Sequence, residues 1–174
     1  ERYSIRLNLN HEINKWFKFG LQTQYSHSVK ERGSGMESDA YMYRISPLGA
    51  LRNEDGTPTQ LVASDAQMWN PLMNLEKGAV SAPEKVSRYL GSYYIEVTFP
   101  VEGLKFKSNL GLDARTKQDY QFYSSNTSTR QLGTSYAYNG MSKYTMMTLE
   151  NMLFYNRDFG KDHTVGVTLL QSIQ

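Results

Sequence analysis

Between Arg2 and Asn10 apolar and polar residues alternate without a break. Tyr3, Ile5, Leu7 and Leu9 fall on one side; Ser4, Arg6 and Asn8 fall on the other. A period of two marks a strand with one apolar face. After a polar turn at His11 to Lys15, the pattern resumes with Phe17, Phe19, Leu21 and Tyr25, Thr23 among them, against Lys18, Gly20, Gln22, Gln24 and Ser26. The same unit of strand, tight turn and strand recurs twice. Tyr89, Gly91, Tyr93, Ile95, Val97 and Phe99 share one face before the turn Pro100-Val101-Glu102-Gly103. Leu90 and Tyr94 blur the opposite face of that strand. Leu104, Phe106, Leu110, Leu112 and Ala114 then return opposite Lys105, Lys107, Asn109, Asp113 and Arg115. A third hairpin runs from Tyr144 to Asn156, turns around Gly160, and comes back with Val165, Val167 and Leu169 alternating with Thr164, Gly166 and Thr168. The pattern predicts six antiparallel strands near 2–10, 16–28, 87–99, 104–115, 144–156 and 163–172.

The connections between these strands run short, long, short, long, short. Val29 to Lys85 is irregular, with a helical turn or two expected in Asp39 to Leu51 before Pro47 and a turn cluster at Asn53 to Pro58. Thr116 to Lys143 is rich in Ser, Thr, Asn and Tyr. Loops of this length inside a compact domain are functional or disordered as a rule. If strands cross alternately, all short turns lie at one end and both long loops at the other, the asymmetry of an outer-membrane barrel. The polar faces agree, since they hold Asn, Gln, Ser, Thr and Gly mixed with a few charges, as a wet lumen wall would. Tyr3, Ile5, Leu7, Leu9, Phe17, Phe19, Leu21, Leu110, Leu112, Val165, Val167 and Leu169 are then expected to face lipid. The fold class expected is all-β, with antiparallel up-and-down strands. They would form an arc of about six strands from a large transmembrane barrel carrying long extracellular loops.

Composition narrows this further. The 174 residues carry a net charge of +2, so nothing marks a nucleic-acid binder. The 13 tyrosines against 2 tryptophans suit β-structure and wet interfaces. The absence of cysteine removes disulfides and thiolate chemistry. No run of about 18 apolar residues exists for a membrane helix, which leaves membrane strands open. The chain begins at Glu1 without a leader, and a piece of a longer polypeptide is expected.

A family resemblance now appears. Arg6-Leu7-Asn8-Leu9-Asn10-His11 followed by Trp16-Phe17-Lys18-Phe19-Gly20 resembles barrel strands of SusC/RagA-type TonB-dependent transporters. So do Gly103 to Gly111 and Glu150-Asn151-Met152-Leu153-Phe154-Tyr155-Asn156, continuing through Phe159-Gly160-Lys161-Asp162-His163. Asp162 departs from the family's more usual Gly-Lys-His. The resemblance implies that residues 1–174 are part of a barrel of roughly 22 strands, with plug, signal peptide and remaining strands lying elsewhere. It implies outer-membrane import of oligosaccharides or peptides, with a SusD-like surface lipoprotein, the TonB complex acting through the plug, and the lipid bilayer as partners. A soluble β-sandwich that binds carbohydrate without catalysis is the alternative; detergent dependence separates the two.

Chemistry-bearing residues are sparse. His11, His27 and His163 lack metal-ligand spacing, and no metal or cofactor is expected. Asp39, Glu54, Asp55 and Asp65 have the residue types of an acid–base pair but read as solvated loop charges. No nucleophile or phosphate-binding motif occurs, so no enzyme is expected. Asn126-Thr127-Ser128 fits a glycosylation acceptor, which carries no meaning if the source is bacterial. The loop aromatics Tyr41, Tyr43, Trp69, Tyr120, Tyr123, Tyr136 and Tyr138 are the candidate substrate-binding residues, by stacking on a sugar or peptide, with packing among the loops as the plainer reading.

Overall fold

A computed structural model describes residues 1–33, 45–64, 67–160 and 163–174. The strands are β1 (Arg2–Asn14), β2 (Phe17–Glu31), β3 (Val80–Ser81), β4 (Pro83–Thr98), β5 (Leu104–Tyr123), β6 (Tyr136–Phe159) and β7 (His163–Ile173). Among the described residues they form one sheet in the order β1-β2-β4-β5-β6-β7, with β3 added beside β5. The six expected strands are all present, in sequential order. A second sheet, which a β-sandwich requires, is not among the described elements.

The chain divides into two compact units. The first gathers Glu1–Ser28, Val86–Thr116 and Ser142–Gln174. In it the alternation seen in sequence becomes a two-faced sheet. Leu9 lies opposite Leu21, Leu7 opposite Thr23, Ile5 opposite Tyr25 and Tyr3 opposite His27, so one face of the β1–β2 ladder is apolar. Leu153 opposite Leu169 and Tyr155 opposite Val167 do the same for β6–β7. Among the described residues no other layer covers the apolar face: Ile5 is 73% exposed, Leu7 57% and Leu169 62%.

The short turns are chemically fixed. Asn14 caps the first by accepting from the backbone N–H of Trp16 at 2.8 Å and of Phe17 at 3.0 Å. A bulge between Glu12 and Asn14 accompanies it, the usual device for bending a strand end. The three turns lie at one end of the sheet: Thr98 donates to the Trp16 carbonyl at 2.8 Å, and Asn156 to the Gly103 carbonyl at 2.9 Å. Gly103 sits at φ +80°, and a Cβ there would run into the Asn156 carbonyl. Only glycine meets both demands.

The second unit comprises Val29–Lys85 and Lys117–Met141. It carries short 3-10 turns at Val62–Ser64 and Pro71–Leu75. The second connection is shorter than expected, because β5 runs on to Tyr123 and β6 begins at Tyr136. The expected helical turns in Asp39 to Leu51 fall largely outside the described residues; Ser46 to Gly49 form a turn.

The second unit has a small core of its own in Val62, Met73, Ala79 and Ala82, with Asn70, Asn74, Thr127 and Ser128 buried beside them. Polar side chains hold it together. The Asn70 amide donates to the Leu51 carbonyl at 2.7 Å and to Thr59 Oγ1 at 3.0 Å, while its Oδ1 accepts from Leu72 N–H at 3.0 Å. Asn74 Oδ1 accepts from the N–H and hydroxyl of Ser128, at 2.9 and 3.1 Å, joining the two long connections.

Candidate functional site

Among the described residues, one surface in each unit carries polar groups without a covering layer. In the first unit it is the face opposite the apolar one. Alternation puts Arg6, Asn8, Gln22, Gln24 and Ser92 there, around an open cavity of about 480 Å³. Next to it Lys107, Asn109, Thr148 and Glu150 line a second cavity of about 380 Å³. Arg6 donates to Gln24 Oε1 at 2.8 Å. Arg88 grips Asp113 with two parallel hydrogen bonds, Nε to Oδ1 at 3.0 Å and Nη2 to Oδ2 at 2.7 Å. These groups pair laterally across strands and leave a wall of amides and hydroxyls, which suits hydrated polar solutes.

In the second unit lies a cavity of about 430 Å³, inside the range of roughly 300–1,000 Å³ usual for small-ligand sites. Gln60, Glu76, Lys77, Asn126 and Leu132 line it, over a floor that includes buried Met73 and Ala79. Close by in sequence, Arg32 pairs with Glu84 at 3.0 Å and also contacts Asp119, while Lys117 pairs with Glu84 at 2.9 Å and Asp119 at 3.4 Å. Two positive and two negative charges thus cancel among β4, β5 and Arg32, which follows the end of β2.

The candidate aromatics separate into groups. Tyr41 and Tyr43 lie outside the described residues. Trp69 is half-buried, and its backbone pairs with Leu61 in an isolated bridge. Tyr123 and Tyr136 pack at 6.2 Å between ring centroids, with the Arg130 guanidinium 5.9 Å over Tyr136. Tyr138, 48% exposed, shares the Tyr136 face of β6 by alternation. Tyr120, three positions before Tyr123 on β5, points to the opposite face, where Lys85 covers its ring at 5.4 Å. Tyr123, Tyr136 and Tyr138 are therefore the subset the strands bring together. The cavity residues carried no motif in sequence. The one available signal was Asn70-Pro71, which reads as a helix cap and first-turn proline and so as an ordered stretch within the loop.

Of the candidate acids, Asp55 accepts from Thr57 N–H at 2.9 Å and Thr57 Oγ1 at 2.6 Å, a turn-forming role. Those bonds hold its carboxyl below the usual value, the hydroxyl contributing most. Asp39 and Asp65 lie outside the described residues. His11 packs edge-on against Phe19 at 5.6 Å, and His27 Nδ1 lies 2.9 Å from Ser87 Oγ. Among the described residues no three His, Asp or Glu side chains converge as a metal site would require.

No family model matches the chain. A TonB-dependent receptor of Formosa agariphila is 30% identical to it over 172 residues, covering 92% of this chain and 16% of the receptor. A solved structure of the RagAB peptide importer in its "closed-closed" state matches 98% of the chain and 19% of its own, with a TM-score of 0.57 and 18% identity, a likeness of fold. The chain thus spans less than a fifth of either relative's length.

Proposed function

From the premise that this chain belongs to the SusC/RagA-type TonB-dependent transporters and corresponds to part of their barrel, we propose the following role. It supplies wall strands and outward loops to an outer-membrane importer of oligosaccharides or peptides. The observation that carries this reading is the two-faced single sheet with all three tight turns at one end. A sheet apolar on one exposed face and amide-rich on the other matches a barrel wall between lipid and water. On this reading the apolar set from Tyr3 to Leu169 faces lipid, and the residues around Arg6, Asn8 and Gln22 face the lumen. The second unit lies outside the cell, where Tyr123, Tyr136 and Tyr138 meet substrate or a SusD-like lipoprotein. TonB acts through a plug that the strands described here do not include. The protein moves its substrate and performs no chemistry on it.

The test uses the full-length protein in its native outer membrane. Tagging it should recover a surface lipoprotein, and its deletion should abolish uptake of labelled oligopeptides or oligosaccharides. Recovery in the soluble fraction would overturn the reading. So would labelling of residues 124–135 from the periplasmic side only.

A further inference from the structure

The cavity of the second unit has a chemistry of its own. Glu76 and Lys77 stand side by side on its rim, both exposed. The Lys77 ammonium and the Gln60 amide have no partner among the described residues, and neither does the Asn126 Nδ2. Glu76 reaches only a long contact of 3.8 Å with Arg52. The lining therefore offers free donors, a free amide acceptor and one charge of each sign. Its apolar surface comes from Pro58, Met73, Ala79 and Leu132, and no aromatic ring is among the described residues that line it.

Leu132 supplies an independent observation. It sits at φ 61°, directly after Gln131 at φ 51°. A left-handed leucine is costly, and such strain persists only where the surroundings over-determine it, commonly at ligand sites. Here they do. Gln131 N–H bonds the Thr127 carbonyl at 2.8 Å, Leu132 N–H the Ser125 carbonyl at 2.9 Å, and Gly133 N–H the Arg130 carbonyl at 2.8 Å. Thr127 is fully buried, and its hydroxyl donates to the Ser124 carbonyl at 2.8 Å. This tight loop holds an apolar side chain, 49% exposed, at the edge of the cavity.

We propose that the cavity formed by Gln60, Glu76, Lys77, Asn126 and Leu132 is a binding site for a short peptide. The inference rests on the transporter reading above and selects peptide over oligosaccharide within it. A peptide backbone presents alternating donors and acceptors, which side-chain amides such as Gln60 and Asn126 can meet from either end. Its charged termini match Lys77 and Glu76. One apolar side chain of the peptide packs on Leu132 and Met73. A neutral sugar has no use for the charge pair and finds no ring to stack on among the described residues.

The experiment uses the full-length transporter in detergent and three probes: a mixed pool of tetrapeptides with free termini, the same pool acetylated and amidated, and maltotetraose. Acetylation of Lys77, read by mass spectrometry, should be slowed by the free-terminus pool, less by the blocked pool, and not by maltotetraose. Lys77→Met and Leu132→Gly should each weaken binding of the free-terminus pool by about tenfold or more. Leu132→Gly relieves the backbone strain, so its thermal stability should not fall. Protection by maltotetraose alone would overturn the peptide assignment and leave the transporter reading standing. Absence of protection by all three would overturn the site. Transport of labelled substrate by the same preparation, reconstituted with its partners, tests the transporter reading separately.

Discussion

The ring of Tyr94 lies across Gly20, and its hydroxyl donates to Asn10 Oδ1 at 3.0 Å. A methyl group at position 20 would collide with that ring. Lys107 extends over the same ring, its ammonium 4.9 Å from the centroid. One tyrosine thus ties β1, β2, β4 and β5 together on the polar face and covers a glycine that would otherwise leave bare backbone. Gly20→Ala should displace the ring and cost about 1–3 kcal/mol, as overpacking does. Tyr94→Phe should cost less, about 0.5–1.5 kcal/mol, since it removes only the hydrogen bond. Urea unfolding of the full-length protein from vesicles reads both. An equal or reversed order would show that the ring does not pack on Gly20.

The apolar face makes a sharper test of lipid contact. Leu7→Arg in the full-length protein should cost about 2–4 kcal/mol if position 7 lies near mid-membrane. Asn8→Arg, one residue on and facing the other way, should cost little. Folding yield into vesicles compares them directly. Equal costs at the two positions would contradict a lipid-facing Leu7.

The strands were legible because β1, β2 and β7 keep a clean period of two. Their ends were less so. Thr116 to Tyr123 and Tyr136 to Lys143 carry polar residues on both faces, so no apolar stripe betrays that β5 and β6 continue through them. The order of the second unit was hidden for a related reason. Its packing hangs on Asn70, Asn74 and Thr127, side chains that composition reads as loop-forming. The spacing of three between Tyr120 and Tyr123 was enough to assign them to opposite faces once both are on one strand. The cavity was not legible, since Gln60, Lys77 and Asn126 meet only through the fold.

Asn70 is where the second unit is most exposed to a single change. It is fully buried and its side chain makes three hydrogen bonds to Leu51, Thr59 and Leu72. Asn70→Ala would leave the Leu72 N–H without its acceptor, at about 1–3 kcal/mol for a buried group left unmet, while the Leu51 carbonyl keeps the Thr59 N–H at 3.1 Å. Limited proteolysis should then cut between 50 and 80 much faster, while the hairpins of the first unit stay intact. Unchanged protease resistance would mean that Asn70 does not hold the unit together.

The turn at Asp55 should make that region acid-sensitive. Thr57 donates both its hydroxyl and its backbone N–H to the Asp55 carboxylate, and both bonds favour the ionised form. The folded pKa is therefore lower than the ordinary value of 3.8. A lowered folded pKa means that the unfolded turn binds protons more readily than the folded one. The stabilisation is then complete above the ordinary carboxylate range and fades as pH falls through the folded value. Pepsin cleavage around residues 53–58 should rise steeply over that acidic window in the native protein. Asp55→Asn keeps an acceptor for Thr57 but cannot titrate, so the ratio of native to variant cleavage isolates the effect of the carboxylate. That ratio should climb as pH drops. A flat ratio would show that protonation of Asp55 does not open the turn.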